Sequence, residues 1–176
     1  MNNQTNFASK ATDRTSDVWL TPRHILNPLG PFDLDPCAAP DPAIWPTAKT
    51  HFTIHDEEAL GDGLARDWFG RVWCNPPYSN ATEWLAKLAR HGNGIALIFA
   101  RTETNGFFST VWDKADAVLF IKGRLSFHHY DGTKGGTAGC GSMLVAYGKD
   151  NAAILESVAG HPIHGKFINL KPNSHD

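Results

Sequence analysis

The chain has 176 residues, 41% of them hydrophobic and 19% charged, with a formal net charge of −2, which suits one globular domain around one core. No apolar run approaches the ~20 residues of a membrane span, and the polar start, Met1 to Lys10, lacks the apolar centre of a secretory signal. Cys37, Cys74 and Cys140 are too few and too scattered for a disulfide framework or a Cys-x-x-Cys zinc site, so a cytoplasmic protein with free thiols is expected.

Residues 1–17 read as a flexible polar arm, 18–160 as the folded domain, and 161–176 as a tail without clear period. Thr21 can cap a short helix with Pro22 in its first position, and Gly30 follows its end. Phe32 to Asp35 reads as a strand stopped by Pro36, and the proline-rich stretch Cys37 to Lys49 as a surface loop. His51 to Ile54 is a second short strand, followed by Asp56, Glu57 and Glu58.

A third strand, Arg71 to Cys74, runs straight into Asn75-Pro76-Pro77-Tyr78. Ser79 or Asn80 caps the next helix, whose apolar face is Trp84, Leu85 and Leu88 and which ends at Gly92. Ile95 to Ala100 has the continuous apolar character of a strand covered on both faces. A helix follows with Phe107, Phe108, Val111 and Trp112 on a core-facing side, then the strand Ala117 to Ile121. Arg124 to His128 and Met143 to Tyr147 read as strands joined by a glycine-rich loop, and Asn151 as the cap of a last helix.

This strand–helix alternation predicts an α/β fold, an open, mostly parallel sheet with helices on both faces. Ligands in such sheets sit at the carboxyl ends of strands, beside the topological switch point. Two strand ends carry unusual chemistry: Asp35-Pro36 and Asn75 to Tyr78.

Charge is unevenly placed. Pro31 to Gly70 holds eight acids against Lys49 and Arg66, whereas Arg71 to Asp150 holds nine bases against six acids. An acidic first half suits a hydroxyl-rich or cationic ligand, and a mildly basic second half suits a polyanion. Arg101, Arg124, His128 and Lys134 are the candidate contacts to the phosphates of such a polyanion. The nine histidines form no His-Glu-x-x-His motif, and no metal is expected.

The loop Asn75-Pro76-Pro77-Tyr78 is the strongest single signal. Two prolines fix the backbone and remove N–H groups, leaving carbonyls on offer. The Asn75 side-chain oxygen and the Pro76 carbonyl can both accept from one –NH2 group, while Tyr78 lies on the ring that bears it. An exocyclic amine is a poor nucleophile because its lone pair is delocalised into the ring. Two acceptors placed tetrahedrally draw the nitrogen towards sp3 and stabilise the charge that develops.

This tetrapeptide resembles the catalytic loop of the amino-methyltransferases that modify adenine N6 or cytosine N4. With Trp19-Leu20-Thr21-Pro22, Asp33-Leu34-Asp35-Pro36-Cys37-Ala38, Asp62-Gly63-Leu64, Phe99-Ala100-Arg101-Thr102 and Gly123-Arg124-Leu125-Ser126-Phe127, the chain resembles the small phage-type, Dam-like DNA N6-adenine methyltransferases over about residues 17–148. The resemblance implies a Rossmann-like fold that uses S-adenosylmethionine, and double-stranded DNA as partner with the target adenine flipped out. It implies a monomer or homodimer, in a bacterial host cytoplasm if phage-encoded.

Carried over by position, Thr21 and Pro22 match the segment holding the methionine end of the cofactor. Asp35, Pro36, Cys37 and Ala38 match the loop after the first strand. Asp56 or Glu57 takes the ribose hydroxyls, and Asp62 with Leu64 edges the adenine. Ala38, Ala39 and Pro40 stand where many methyltransferases carry glycines. The same loop also serves enzymes acting on cytosine N4, an RNA base or a protein glutamine. A further alternative is a non-catalytic nucleotide- or DNA-binding module that keeps the fold.

Overall fold

A computed structural model describes residues 19–53, 62–129 and 131–171. The expected arm 1–17 and the acids Asp56 and Glu57 lie outside the described residues. A seven-stranded sheet of order β2-β1-β3-β4-β8-β5-β9 organises the chain. Its strands are β1 (Leu34–Asp35), β2 (Thr50–His51), β3 (Val72–Cys74), β4 (Gly94–Phe99), β5 (Ala117–Ile121), β8 (Ser142–Tyr147) and β9 (Gly165–Asn169). β2, β1, β3 and β4 pair in parallel, and β8 lies antiparallel between β4 and β5. β5 therefore shares the direction of β1 to β4, and only β8 and β9 run the other way. Among the described residues, no helix is long and apolar enough to cross a membrane.

Alternate residues of the central strands feed two cores. Ile95, Leu97, Leu119 and Leu144 pack with α1 (Arg23–Leu26) and α4 (Lys149–Val158) on one face. Ala96, Ile98, Met143 and Val145 pack with α2 (Ala81–His91) and α3 (Asn105–Phe107) on the other. Cover on both faces is why β8 is buried along its whole length.

Several local expectations are corrected. Thr21 is not a cap: Pro22 occupies that position before α1, and a 3₁₀ turn, Asn27–Leu29, continues to Gly30 at φ 83°. Asn80 occupies the N-cap position of α2 without capping it, since its Oδ1 accepts from Trp84 Nε1 at 3.2 Å. α2 does end at Gly92 in the left-handed region, φ 74°.

Asn151 lies inside α4, after Gly148 in the N-cap position, and ties the opposite end of the sheet together. It accepts from Arg71 Nε at 2.6 Å and donates to Asn93 Oδ1 and Tyr147 O. After α3 the chain widens into a π-helical turn, Phe108–Trp112, and Phe108 is 52% exposed rather than in the core.

The glycine-rich loop contains a strand, β7 (Lys134–Thr137). It pairs antiparallel with β6 (Ser126–His128) in a separate ribbon, so β6 is not part of the main sheet. The stretch after Gly160 supplies β9, antiparallel to β5.

Candidate active site

The chain leaves β1 towards β2 on one side and returns to β3 on the other, so the topological switch point lies between β1 and β3. The two unusual strand ends, Asp35 and Asn75, meet there. They border a cleft of about 240 Å³. Pro36, Cys37, Ala38, Ala39 and Pro40 form one wall, and Trp19, Leu20 and Thr21 form another. Trp45, Phe52, Trp73 and Trp84 give it broad apolar surfaces.

Asp35 dominates the electrostatics. It is 4% exposed, and burial pushes its carboxyl up to about 6 against hydrogen bonds from the Thr47 hydroxyl and the Cys37 N–H that pull it down. No cation partners it among the described residues. Below it, Cys37 Sγ lies 3.8 Å from the buried Cys74 Sγ. That contact and burial push the Cys37 thiol well above its ordinary value. The Thr21 hydroxyl is buried on the cleft wall with no hydrogen-bond partner among the described residues.

A backbone close approach completes the cleft. A Cβ on Gly63 would lie 1.9 Å from the Pro36 carbonyl oxygen, so only glycine lets segment 62–64 meet the β1 loop. Asp62 lines the cleft and its Oδ1 accepts from Leu64 N at 2.9 Å. Leu64 packs just behind the cleft, its carbonyl accepting from Lys87 Nζ. Pro22 is buried at the start of α1 beside Thr21 and is not on the cleft surface.

Asn75 lines the cleft directly after β3. Its Nδ2 donates to the Trp19 carbonyl at 2.7 Å, which orients Oδ1 as the acceptor. Trp19 is itself held by its neighbour: Leu20 exchanges backbone hydrogen bonds with His128 of β6 at 2.9 and 3.1 Å. Pro76 is buried, and Pro77 (φ −54°, ψ 131°) turns the chain into the 3₁₀ turn Tyr78–Asn80. The Tyr78 ring stacks on Phe99 with centroids 3.9 Å apart and planes at 10°.

A second cavity adjoins the first. Trp19 lines both, and the second is closed by Tyr78, Phe99, Phe127 and the β7 residues Gly136 and Thr137. A Cβ on Gly136 would meet nothing within 4 Å. This cavity is almost wholly apolar and aromatic, the surroundings a planar ring needs.

Of the basic candidates, Arg101 follows β4, Arg124 stands in the turn between β5 and β6, and Lys134 opens β7; all three are exposed. His128 is part-buried, its ring 4.8 Å from that of Trp45 and its Nδ1 buried without a partner among the described residues. The sequence reading missed Trp19, Trp45, Phe52, Trp73 and Trp84 as cleft walls, and Thr47 as the donor to Asp35. Trp19 and Trp84 had at least a signal, Trp19 as the first residue of the Trp19-Leu20-Thr21-Pro22 motif and Trp84 on the apolar face of its helix.

A search of curated proteins returns no match, and neither does a search of solved structures. The family described as DNA N-6-adenine-methyltransferase (Dam) matches over residues 8–159, a span that takes in both cavities, the Asn75–Tyr78 loop and the β6–β7 ribbon, and the chain belongs to that family of adenine-specific DNA methyltransferases.

Proposed function

We propose that the protein transfers a methyl group from S-adenosylmethionine to N6 of an adenine turned out of double-stranded DNA, on a Rossmann-like methyltransferase fold. The observation that carries this reading is Asn75, at the switch point, with its amide donor committed to Trp19 and its oxygen left as the acceptor on the cleft wall.

The residues of the cleft fit the cofactor. Its sulfonium and ammonium groups match the buried carboxyl of Asp35, which has no cation beside it among the described residues, and the buried Thr21 hydroxyl gains a polar partner. Trp45, Phe52 and Trp84 offer apolar faces for the adenine, with Asp62 at its edge, Leu64 packed behind that edge and the Pro36–Ala38 loop beside it. Asp56 or Glu57 remains the choice for the ribose hydroxyls. When bound, the cofactor supplies a methyl group on a positively charged sulfur.

The chain's own part is to hold the target amine. Asn75 Oδ1 and the Pro76 carbonyl accept its two N–H groups, Pro77 stiffens the loop, and the ring rests against Tyr78 in the aromatic cavity. As the nitrogen becomes tetrahedral its lone pair is freed, and the two acceptors strengthen their hold on its growing positive charge. The methyl would pass to N6 as its bond to sulfur breaks, the neutral thioether leaving and the surplus amine proton passing to solvent, with no covalent intermediate on the protein.

The cofactor test is thermal. S-Adenosylmethionine, or its demethylated product, is expected to stabilise the fold by about 2.7 kcal/mol at a hundredfold excess over the dissociation constant. No shift and no heat at millimolar concentration would end the enzyme reading.

DNA contact is tested by salt. Neutralising Arg124 or Lys134 is expected to lower the slope of log affinity against log salt by about one, with the methylated sequence unchanged. Unchanged slopes would move the phosphate contacts to another face.

A further inference from the structure

A third cavity of about 240 Å³ lies between α2 and α3 at the same edge of the sheet. It has no lining residue in common with the cofactor cleft, and it shares Tyr78 and Phe99 alone with the aromatic cavity. The Tyr78–Phe99 stack is thus the common wall of two cavities, one of which the adenine reading already fills.

The chemistry of the third cavity is mixed. Leu85, Ile98 and Phe107 give it a buried apolar floor, the Thr82 and Thr104 hydroxyls add polar points, and Arg101 stands exposed at its rim. Arg101 has no carboxylate partner among the described residues. The cavity is built rather than incidental: a Cβ on Gly106 would come within 2.3 Å of Thr82 Oγ1, so glycine lets α3 approach α2 this closely. The Thr104 side chain fixes the turn above it by accepting from Phe107 N at 3.2 Å.

We propose that this cavity takes a second, unstacked base of the bound DNA, with its phosphate on Arg101. The proposal rests on the reading of adenine methylation above. Turning one base out leaves its partner unpaired and its neighbours without a stacking face, at a cost the protein must offset. An apolar slot bounded by an aromatic pair, with a guanidinium at its mouth, offers stacking to the ring and charge to the phosphate, whatever the base.

The test fills the cavity from Ala81, the first residue of α2, which lines it. Ala81→Trp is expected to weaken DNA binding about tenfold, and Arg101→Ala to weaken it with a shallower salt slope. Stabilisation by S-adenosylmethionine should be unchanged in both, since the cleft shares no residue with this cavity, and that also shows the variants fold. Once the target is mapped by sequencing methylated DNA, duplexes carry 2-aminopurine at the target, opposite it, or at either flank. In the parent, fluorescence should rise at the target and at one other position, which identifies the second base. In Ala81→Trp the rise at that other position should disappear. Parent-like DNA affinity in Ala81→Trp, or a rise at the target alone, would overturn the proposal while leaving adenine methylation standing. A parent that methylates no adenine would overturn both.

Discussion

Asn75→Ala is expected to lower methyl transfer about 10²–10³-fold, the cost of removing one preorganised group aimed at developing charge. The fall should appear in kcat, because the hydrogen bond to the amine strengthens as the nitrogen gains charge. Stabilisation by S-adenosylmethionine should survive, since Asp35, Thr21 and the aromatic walls are untouched. The variant also loses the bond from Nδ2 to the Trp19 carbonyl. Trp19 and Leu20 are still held through the bridge to His128, so the wall between the two cavities stays in place. A variant with most of its activity would contradict the two-acceptor mechanism.

Asp35→Asn should act oppositely on stability and on cofactor affinity. The Asp35 carboxyl titrates near 3.8 when unfolded and near 6 when folded. The stability it contributes is therefore full below 3.8 and is lost as pH rises through about 6. At pH 8 the buried carboxylate costs the free protein about 3 kcal/mol by this reckoning. Asp35→Asn should recover a share of that, and its gain over the parent should vanish near pH 4. The comparison with the parent matters because burial lowers the pKa of nearby His51, whose charging at low pH works the other way. Cofactor affinity in the parent should rise as pH passes through about 6, when the carboxylate forms to meet the cationic ligand. In Asp35→Asn it should be weaker and flat. Denaturant melts and calorimetry across pH 4.5–8 measure both, and a pH-independent affinity in the parent would remove Asp35 from the cofactor site.

The parts legible in the sequence were those with strong local causes. Apolar β4 and β5, the Trp84–Leu85–Leu88 face of α2 and the stop at Gly92 all follow from period and backbone chemistry. Asp35-Pro36 and Asn75-Pro76-Pro77 stood out because proline ends a strand and leaves its last side chain at the sheet edge. β7 and β9 were illegible for a physical reason. Lys134–Thr137 has no alternation to read, and Gly165–Asn169 is mostly exposed, held by backbone pairing to β5.

The caps misled because a polar residue before a helix has other partners to satisfy. Asn80 serves the Trp84 indole, and Asn151 serves Arg71 and Asn93. The cleft walls were hidden by distance along the chain, since Trp19, Trp45, Phe52, Trp73 and Trp84 meet only once the sheet has formed. Gly63 was visible as a residue, but its need to clear the Pro36 carbonyl belongs to the tertiary structure.

The most direct measurement of the central claim is product analysis. The protein is incubated with methyl-labelled S-adenosylmethionine and, separately, with double-stranded DNA, single-stranded DNA and RNA; each nucleic acid is then digested to nucleosides and the label located by mass. Label in N6-methyladenosine of the deoxy series, from double-stranded DNA, and its loss in Asn75→Ala, is the predicted result. Label in N4-methylcytosine or in RNA nucleosides alone, or no transfer by a protein that binds the cofactor, would contradict it.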